Sequence, residues 1–294
     1  MPTEAQLLDP AFLRKLERLS LVCRKPFPGQ MKGEKRSTRR GSSVEFTDYR
    51  EYIPGDDLRY VDWNMAARSE RFYLKLFVEE EDLFLALLVD SSRSMGFGEP
   101  RKIDYARRLA AAVGYIGLVN YDRVIVQPYS SSLERPLPVQ RGRVGIAPLF
   151  AYLHQLEPAE RTDFAVALHR FAAGARSRGL AMVISDFFDP GWREGLKSLF
   201  ARGFQVTVLH LLAPDEIEPA LRGDLRIIDS ETSENRELSI TPQLLQRYRQ
   251  TLDGFCSEIA AYCRRYGADY LRISSEQSLE EVTLRSLRKM GLLH

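Results

Sequence analysis

The chain alternates short apolar runs with longer stretches in which apolar residues recur every three or four positions. The apolar runs are typical of strands that are buried on both faces of a parallel sheet. They occur in LFLALLV, RVIVQPYS, LAMVISD and QVTVLHLL, at residues 83–89, 123–130, 180–186 and 205–212. The stretches between them have helical periodicity. These predicted helices cover residues 101–120, 144–156, 163–176 and 192–202.

The same alternation continues to the end of the chain. A short edge strand is predicted at LERPLPV, and a hairpin is predicted around Glu234-Asn235. A long amphipathic helix at 241–266, the strand ADYLRIS and a last helix at 278–291 follow. Strands that alternate with helices of this length form parallel β-α-β units. The predicted fold class is therefore α/β, with a doubly wound, mostly parallel sheet of the Rossmann type.

The region before this pattern has a different character. Asp9 is followed by Pro10 in the manner of a helix cap, and the apolar spacing after it predicts a helix over residues 10–24. A basic linker within 24–43 precedes a segment rich in aromatic and β-branched residues, with an alternating strand near 72–78. We therefore predict an N-terminal part, residues 1–80, that packs on a main domain at 81–294.

Charge and composition exclude some classes of function. The 294 residues carry a formal net charge of only +2, which gives no global attraction to nucleic acid or to a membrane surface. The basic linker lacks the interleaved aromatic residues that stack on bases. No apolar run reaches the roughly 20 residues of a membrane span. Three cysteines without metal-type spacing suit a reducing compartment, so we expect a cytoplasmic protein.

Candidate chemistry lies at the ends of the predicted strands, where ligands bind in open α/β sheets. Asp90, Ser92 and Ser94 occupy alternate positions directly after the first buried strand. Asp186 follows the strand LAMVIS, and Thr162 precedes the helix that leads into that strand. Carboxylates and hydroxyls are hard oxygen donors that suit Mg²⁺ or Mn²⁺. Capping of helices by the same residues is the alternative reading.

The sequence VDSSRSM resembles the metal-ion-dependent adhesion site (MIDAS) of von Willebrand factor A-like domains. In that family a D-x-S-x-S turn after the first strand is joined by a Thr and an Asp from two later loops. The matching positions are Asp90, Ser92, Ser94, Thr162 and Asp186. The resemblance implies a non-enzymatic protein-binding module, in which a partner supplies an Asp or Glu to the bound cation.

The segment SSVEFTDYREYIPGDDLRYVDWNMAARS resembles the signature of the bacterial domain-of-unknown-function family fifty-eight. Members place this segment just before an A-type domain. The resemblance implies an adaptor or co-factor of a MoxR-type AAA+ ATPase in protein remodelling or maturation. Many relatives have two membrane helices near the N-terminus, a feature that this sequence does not predict.

Two other functions are alternatives to the protein-binding module. A metal-dependent phosphohydrolase also begins with Asp at the end of a strand, but it needs a second carboxylate two residues later, where this chain has Ser92. Nucleic-acid binding would depend on the basic linker and would weaken steeply with salt. Phosphate-binding glycine loops and a G-x-S-x-G nucleophile turn do not occur in the sequence.

Overall fold

The computed structural model describes residues 7–24, 44–69, 71–79, 83–158, 162–220, 223–228 and 235–294. The chain divides into two compact units, Met1–Phe27 with Leu83–His294, and Pro28–Asp82. The first helix thus groups with the larger unit. The basic linker, apart from Arg24, lies outside the described residues. The predicted division at residue 80, with its packing of one part on the other, stays a prediction.

Helix α1 (Pro10–Leu16) starts as predicted, because the Asp9 carboxylate accepts a hydrogen bond from the backbone N–H of Ala11 at 2.8 Å. The prediction that this helix continues to residue 24 was wrong. After Leu16 the chain becomes extended and pairs with the C-terminal residues. Leu21 forms an antiparallel bridge with Leu293, and the N–H of Val22 donates to the Leu292 carbonyl at 3.0 Å.

The smaller unit contains an antiparallel pair of strands, β1 (Val44–Glu51) and β2 (Tyr73–Glu79). A 3₁₀ turn and helix α2 (Trp63–Ser69), neither of which was predicted, lie between them in the sequence. Asp62 caps α2 by accepting hydrogen bonds from two backbone N–H groups at its start. Arg50 pairs with Asp56 at 2.8 Å, so charged residues around this turn pair within the unit.

The larger unit is built on a six-stranded sheet. Its strands are β3 (Phe84–Asp90), β4 (Arg123–Tyr129), β5 (Leu137–Arg141), β6 (Leu180–Ser185), β7 (Gln205–Leu212) and β10 (Asp269–Ser274). They lie in the order β10-β7-β6-β3-β4-β5, and only β5, the predicted edge strand, runs antiparallel to its neighbour. This arrangement confirms the predicted doubly wound, mostly parallel α/β fold.

Both faces of the sheet are covered, which explains why the strand β3 is apolar throughout. Its residues Leu85, Leu87 and Val89 face one core cluster, and Phe84, Ala86 and Leu88 face the other. The helices that cover the sheet are α3 (Lys102–Val119), α4 (Ile146–His154), α5 (Phe164–Gly174) and α6 (Trp192–Arg202). The first two contribute to one core and the last two to the other. The order of the strands therefore reverses between β3 and β6.

The C-terminal part completes this architecture. A short helix, α7 (Pro214–Ile217), follows β7, and the predicted hairpin is confirmed as β8 (Gly223–Ile228) paired with β9 (Asn235–Ile240). The long helix α8 (Pro242–Arg265) leads to β10. The predicted last helix over 278–291 is present over residues 279–289, but its middle is not α-helical. The structure has the single-turn helix α9 (Leu279–Glu281), continued by a π-helical segment (Val282–Leu287).

Candidate metal-binding site

The register of two central strands brings the two predicted carboxylates to one place. Val89 of β3 pairs with Ile184 of β6, so Asp90 lies opposite Ser185 and one residue before the level of Asp186. The Ser185 hydroxyl donates a hydrogen bond to Asp90 Oδ2 at 2.6 Å. Asp90 and Asp186 are 1% and 2% exposed. This is the point at which the strand order reverses, where open α/β sheets bind their ligands.

The turn after β3 places its hydroxyl groups beside the carboxylate of Asp90. Asp90 Oδ1 accepts a hydrogen bond from the backbone N–H of Ser92 at 2.9 Å, which closes the chain into a tight turn. A short 3₁₀ helix, Arg93–Gly96, follows directly. The hydroxyl oxygens of Ser92 and Ser94 lie 3.1 Å apart. Three of the predicted donors are therefore held together by a single turn of backbone.

The Asp186 carboxylate is paired with a lysine that the sequence analysis had not singled out. Lys102 Nζ donates to Asp186 Oδ2 at 2.7 Å and to Glu216 Oε1 at 2.5 Å. The other oxygen of Asp186 accepts a hydrogen bond from the N–H of Phe188 at 3.3 Å. Lys102 is fully buried, and it joins the start of α3 to the ends of β6 and β7. Lys102, Asp186 and Glu216 thus form a largely buried cluster of charged groups.

Asp90 and Asp186 differ in pKa because their surroundings differ. Burial, followed by the neighbouring charge of Asp186, raises the pKa of Asp90 to about 7, against opposing hydrogen bonds from Ser185 and Ser92. Burial would also raise the pKa of Asp186, but the ammonium of Lys102 outweighs it and leaves that pKa lowered. Of the two aspartates, Asp186 is therefore the one that carries the negative charge. The ionised form of Asp90 lacks a positive partner among the described residues.

Thr162 is the predicted ligand that the structure joins least closely to the others. It precedes Asp163, which caps α5 by accepting from the N–H of Val166 at 3.0 Å. The N–H of Asp163 donates to the Ser130 carbonyl, also at 3.0 Å, which ties this loop to the end of β4. Within the described residues, no hydrogen bond is recorded between the Thr162 hydroxyl and the other four predicted ligands. Thr162 lies at the predicted edge of the sheet, and its place among the ligands stays a prediction.

The donor set fits a hard divalent cation in two respects. Adjacent ligands of an octahedral Mg²⁺ with bonds of 2.0–2.1 Å are about 3 Å apart, which matches the spacing of the Ser92 and Ser94 hydroxyls. In addition, the carboxylates of Asp90 and Asp186 are buried and that of Glu216 is half-buried beside one lysine, and a cation would balance the excess negative charge. No cluster of three or more His, Cys, Asp or Glu suited to a metal occurs in the described parts of the chain, but a site based on hydroxyls does not need one.

Lys102 and Glu216 are the charged site residues that the sequence analysis missed. One signal for Lys102 was available: a basic residue in the first turn of a helix opposes the helix dipole, and it therefore calls for a nearby carboxylate. Lys102 also shares the spacing of Ala106 and Leu109, both fully buried residues of the same helix. Nothing local to Glu216 distinguishes it from a helix-capping acid, because its other oxygen does accept from the N–H of Ala213 at 2.7 Å.

The strand order, the antiparallel edge strand and the hydroxyl-bearing turn after the first central strand define a von Willebrand factor A-like architecture. The profile of the family described as "Protein of unknown function DUF58" matches residues 48–253, which is more than half of the chain. The chain therefore belongs to this family, and the resemblance found in the sequence is confirmed.

Two mycobacterial proteins are similar to this chain in sequence. The chain is 28% identical over 275 residues to the uncharacterized protein Rv1480 of Mycobacterium tuberculosis, covering 92% of this chain and 86% of that protein. It is 30% identical over 118 residues to the uncharacterized protein MAV169 of Mycobacterium avium, covering 40% of this chain and 69% of that protein. Within the described residues, no helix has both the length and the apolar character needed to cross a membrane.

Solved structures with partial similarity include the conserved hypothetical protein BatB from Bacteroides thetaiotaomicron. That match has 17% sequence identity and a TM-score of 0.45, and it covers 71% of this chain and 98% of BatB. The VWA domain of SpRpn10 matches with 12% identity and a TM-score of 0.38, covering 70% of this chain and 95% of that domain.

Proposed function

We propose that the edge of the sheet at Asp90 binds one divalent cation, Mg²⁺ or Mn²⁺, and presents it to an acidic side chain of a partner protein. Ser92 and Ser94 supply hydroxyl ligands, and Asp90 and Asp186 supply carboxylate oxygens directly or through water. We include Thr162 as a ligand because it lies in the adjacent loop. The protein acts by binding rather than by catalysis.

One observation carries this proposal: the Ser92 and Ser94 hydroxyls lie 3.1 Å apart beside a buried carboxylate that has no cationic partner of its own among the described residues. A buried, uncompensated charge is costly, and a bound metal ion is a common way of balancing it. The alternative of a phosphohydrolase is not favoured, because Ser92 holds the place of the general acid in that mechanism.

The partner is proposed from the resemblance to the family. We propose a MoxR-type AAA+ ATPase, with the present chain acting as its adaptor in the remodelling or maturation of a third protein. We also propose that this takes place in the cytoplasm, where the thiols of Cys23, Cys256 and Cys263 remain reduced.

The first test is binding between the full-length chain and the purified MoxR-type ATPase of the same organism. Biolayer interferometry should show association in excess Mg²⁺, and at least about tenfold weaker association in EDTA or with Asp90→Asn. The matched control is Asp122→Asn. Asp122 is also buried but lies at the amino edge of the sheet, where it accepts from the N–H of Leu83 at 3.1 Å.

The control variant should bind the ATPase as the wild type does. Association that is equally strong in EDTA and with Asp90→Asn would show that the contact does not pass through a metal. If no association occurs under any of these conditions, the proposed partner is wrong.

A further inference from the structure

Lys102 occupies an unusual position for a lysine. It is the first residue of α3, its side chain is 0% exposed, and its ammonium nitrogen lies 5.4 Å from the centre of the Phe188 ring. A positive charge at the start of a helix opposes the helix dipole. Removing the ammonium from water adds a further cost. The two carboxylates of Asp186 and Glu216 offset both costs.

The pairing has a direct consequence for the proposed metal site. Asp186 Oδ2 is held by Lys102 at 2.7 Å, so a cation that coordinates this oxygen must displace or share the ammonium. Lys102 also repels any divalent cation beside Asp186, because the low polarity of a buried site strengthens the interaction between charges. Affinity for a hard cation rises with the number of charged ligands, and Lys102 cancels part of that charge.

We propose that Lys102 is a built-in competitor of the divalent cation, which keeps the affinity of the free chain for the metal low. This inference rests on the proposed function, since it concerns the same metal site. A carboxylate that arrives with a partner would restore the negative charge that Lys102 neutralises. Metal and partner would then each strengthen the binding of the other, as the reciprocity of linked equilibria requires.

The experiment measures Mn²⁺ affinity of the full-length chain by isothermal titration calorimetry, without any partner. Lys102→Met keeps a side chain of similar length and removes the charge. We expect this variant to bind Mn²⁺ at least about tenfold more tightly than the wild type. A lysine with a purely structural role would give unchanged or weaker Mn²⁺ binding in the variant.

Lys102→Met leaves two carboxylates without a cation, which is a known cause of instability. A second comparison reduces this problem, because only one carboxylate, that of Asp186, then loses its cation. Glu216→Gln preserves the pair between Lys102 and Asp186, and Lys102→Met is then added to that background. The double variant should again bind Mn²⁺ at least about tenfold more tightly than Glu216→Gln alone. Both of these proteins carry the neutral Gln in place of Glu216. A carboxylate of Glu216 that becomes a new metal ligand therefore cannot cause the gain.

The outcomes separate this inference from the function on which it rests. If the wild type binds Mn²⁺ in a way that depends on Asp90, and removal of Lys102 leaves this binding equal or weaker, the inference about Lys102 is wrong. The proposed metal site is then still supported. If neither the wild type nor the Lys102 variants bind Mn²⁺, both the inference and the proposed metal site are wrong. Tighter binding that disappears when Asp90→Asn is added supports both.

Discussion

At the scale of single residues, the acidity of Asp90 has a measurable effect on stability. Burial and the nearby Asp186 raise its pKa from an ordinary 3.8 to about 7. At a pH between these two pKa values, Asp90 of the folded metal-free protein holds a proton that the same residue has already released in the unfolded chain. The contribution of Asp90 to the free energy of unfolding therefore falls as the pH rises from about 4 to about 7, and it is constant above that range.

A second buried group opposes this trend. Burial lowers the pKa of His210 from 6.5 to about 4, so its contribution to stability rises with pH over the same acidic range. The pH dependence of the wild type alone therefore mixes two opposite effects. Asp90→Asn removes only the first of them, which makes the difference between wild type and variant the informative quantity.

We predict that Asp90→Asn becomes more stable relative to the wild type as the pH rises from about 4 to about 7. The change is on the order of 1.4 kcal/mol for each unit by which the pKa is raised. Urea unfolding of both proteins in the presence of a chelator, repeated across this range, measures it. A stability difference that does not vary with pH would contradict the assigned acidity of Asp90.

The residues of the site were only partly predictable from the sequence. The spacing of Asp90, Ser92 and Ser94 after an apolar run indicates three donors on one turn, and the structure places them there. Lys102 forms its pairs with residues 84 and 114 positions away, and no local pattern contains that information. Long-range pairing of charges is decided by the packing of whole elements.

At the scale of elements, helix packing against the sheet depends on the size of individual side chains. Gly195 lies inside α6, where an added Cβ would be 2.5 Å from Cδ1 of Phe164 on the neighbouring helix α5. Gly254 lies inside α8, and an added Cβ there has no other atom within 4 Å. The two glycines therefore differ in packing while sharing a helical backbone.

We predict opposite effects of the same substitution at these two positions. Gly254→Ala should stabilise the protein by about 0.5–1 kcal/mol, because alanine loses less backbone entropy in a helix. Gly195→Ala should destabilise it by about 1–3 kcal/mol, because the methyl group overpacks the contact with Phe164. Urea midpoints measure both changes, and shifts in the same direction would show that the α5–α6 packing is wrongly described.

Element prediction succeeded where periodicity and packing agree. The central strands were readily predicted, because burial on both faces requires residues that are apolar throughout. Helix α1 was predicted too long, because Leu19 continues the apolar stripe of Phe12, Leu13 and Leu16 although the chain there is no longer helical. Leu21 instead pairs with Leu293, a partner 272 positions away, and tertiary pairing overrode the local preference.

At the scale of the whole molecule, the fold of the larger unit creates the site by bringing separate loops to one edge. The D-x-S-x-S turn, the Asp186 loop and the start of α7 follow β3, β6 and β7, which are neighbours in the sheet. The segment after α1 also meets the C-terminal residue, since the Ser20 and His294 backbones exchange two hydrogen bonds at 3.0 and 3.1 Å. The strand order was not predicted, because apolar runs alone predict only the class of sheet.

The account depends most on a cation bound at the turn after β3, and anomalous diffraction from crystals grown with Mn²⁺ tests this directly. The account predicts a single anomalous peak roughly 2 Å from the Ser92 and Ser94 hydroxyl oxygens, next to Asp90, which is absent from Asp90→Asn crystals and retained in Asp122→Asn crystals. A wild-type crystal with no peak at these oxygens, or with a peak that persists there in Asp90→Asn, would contradict it.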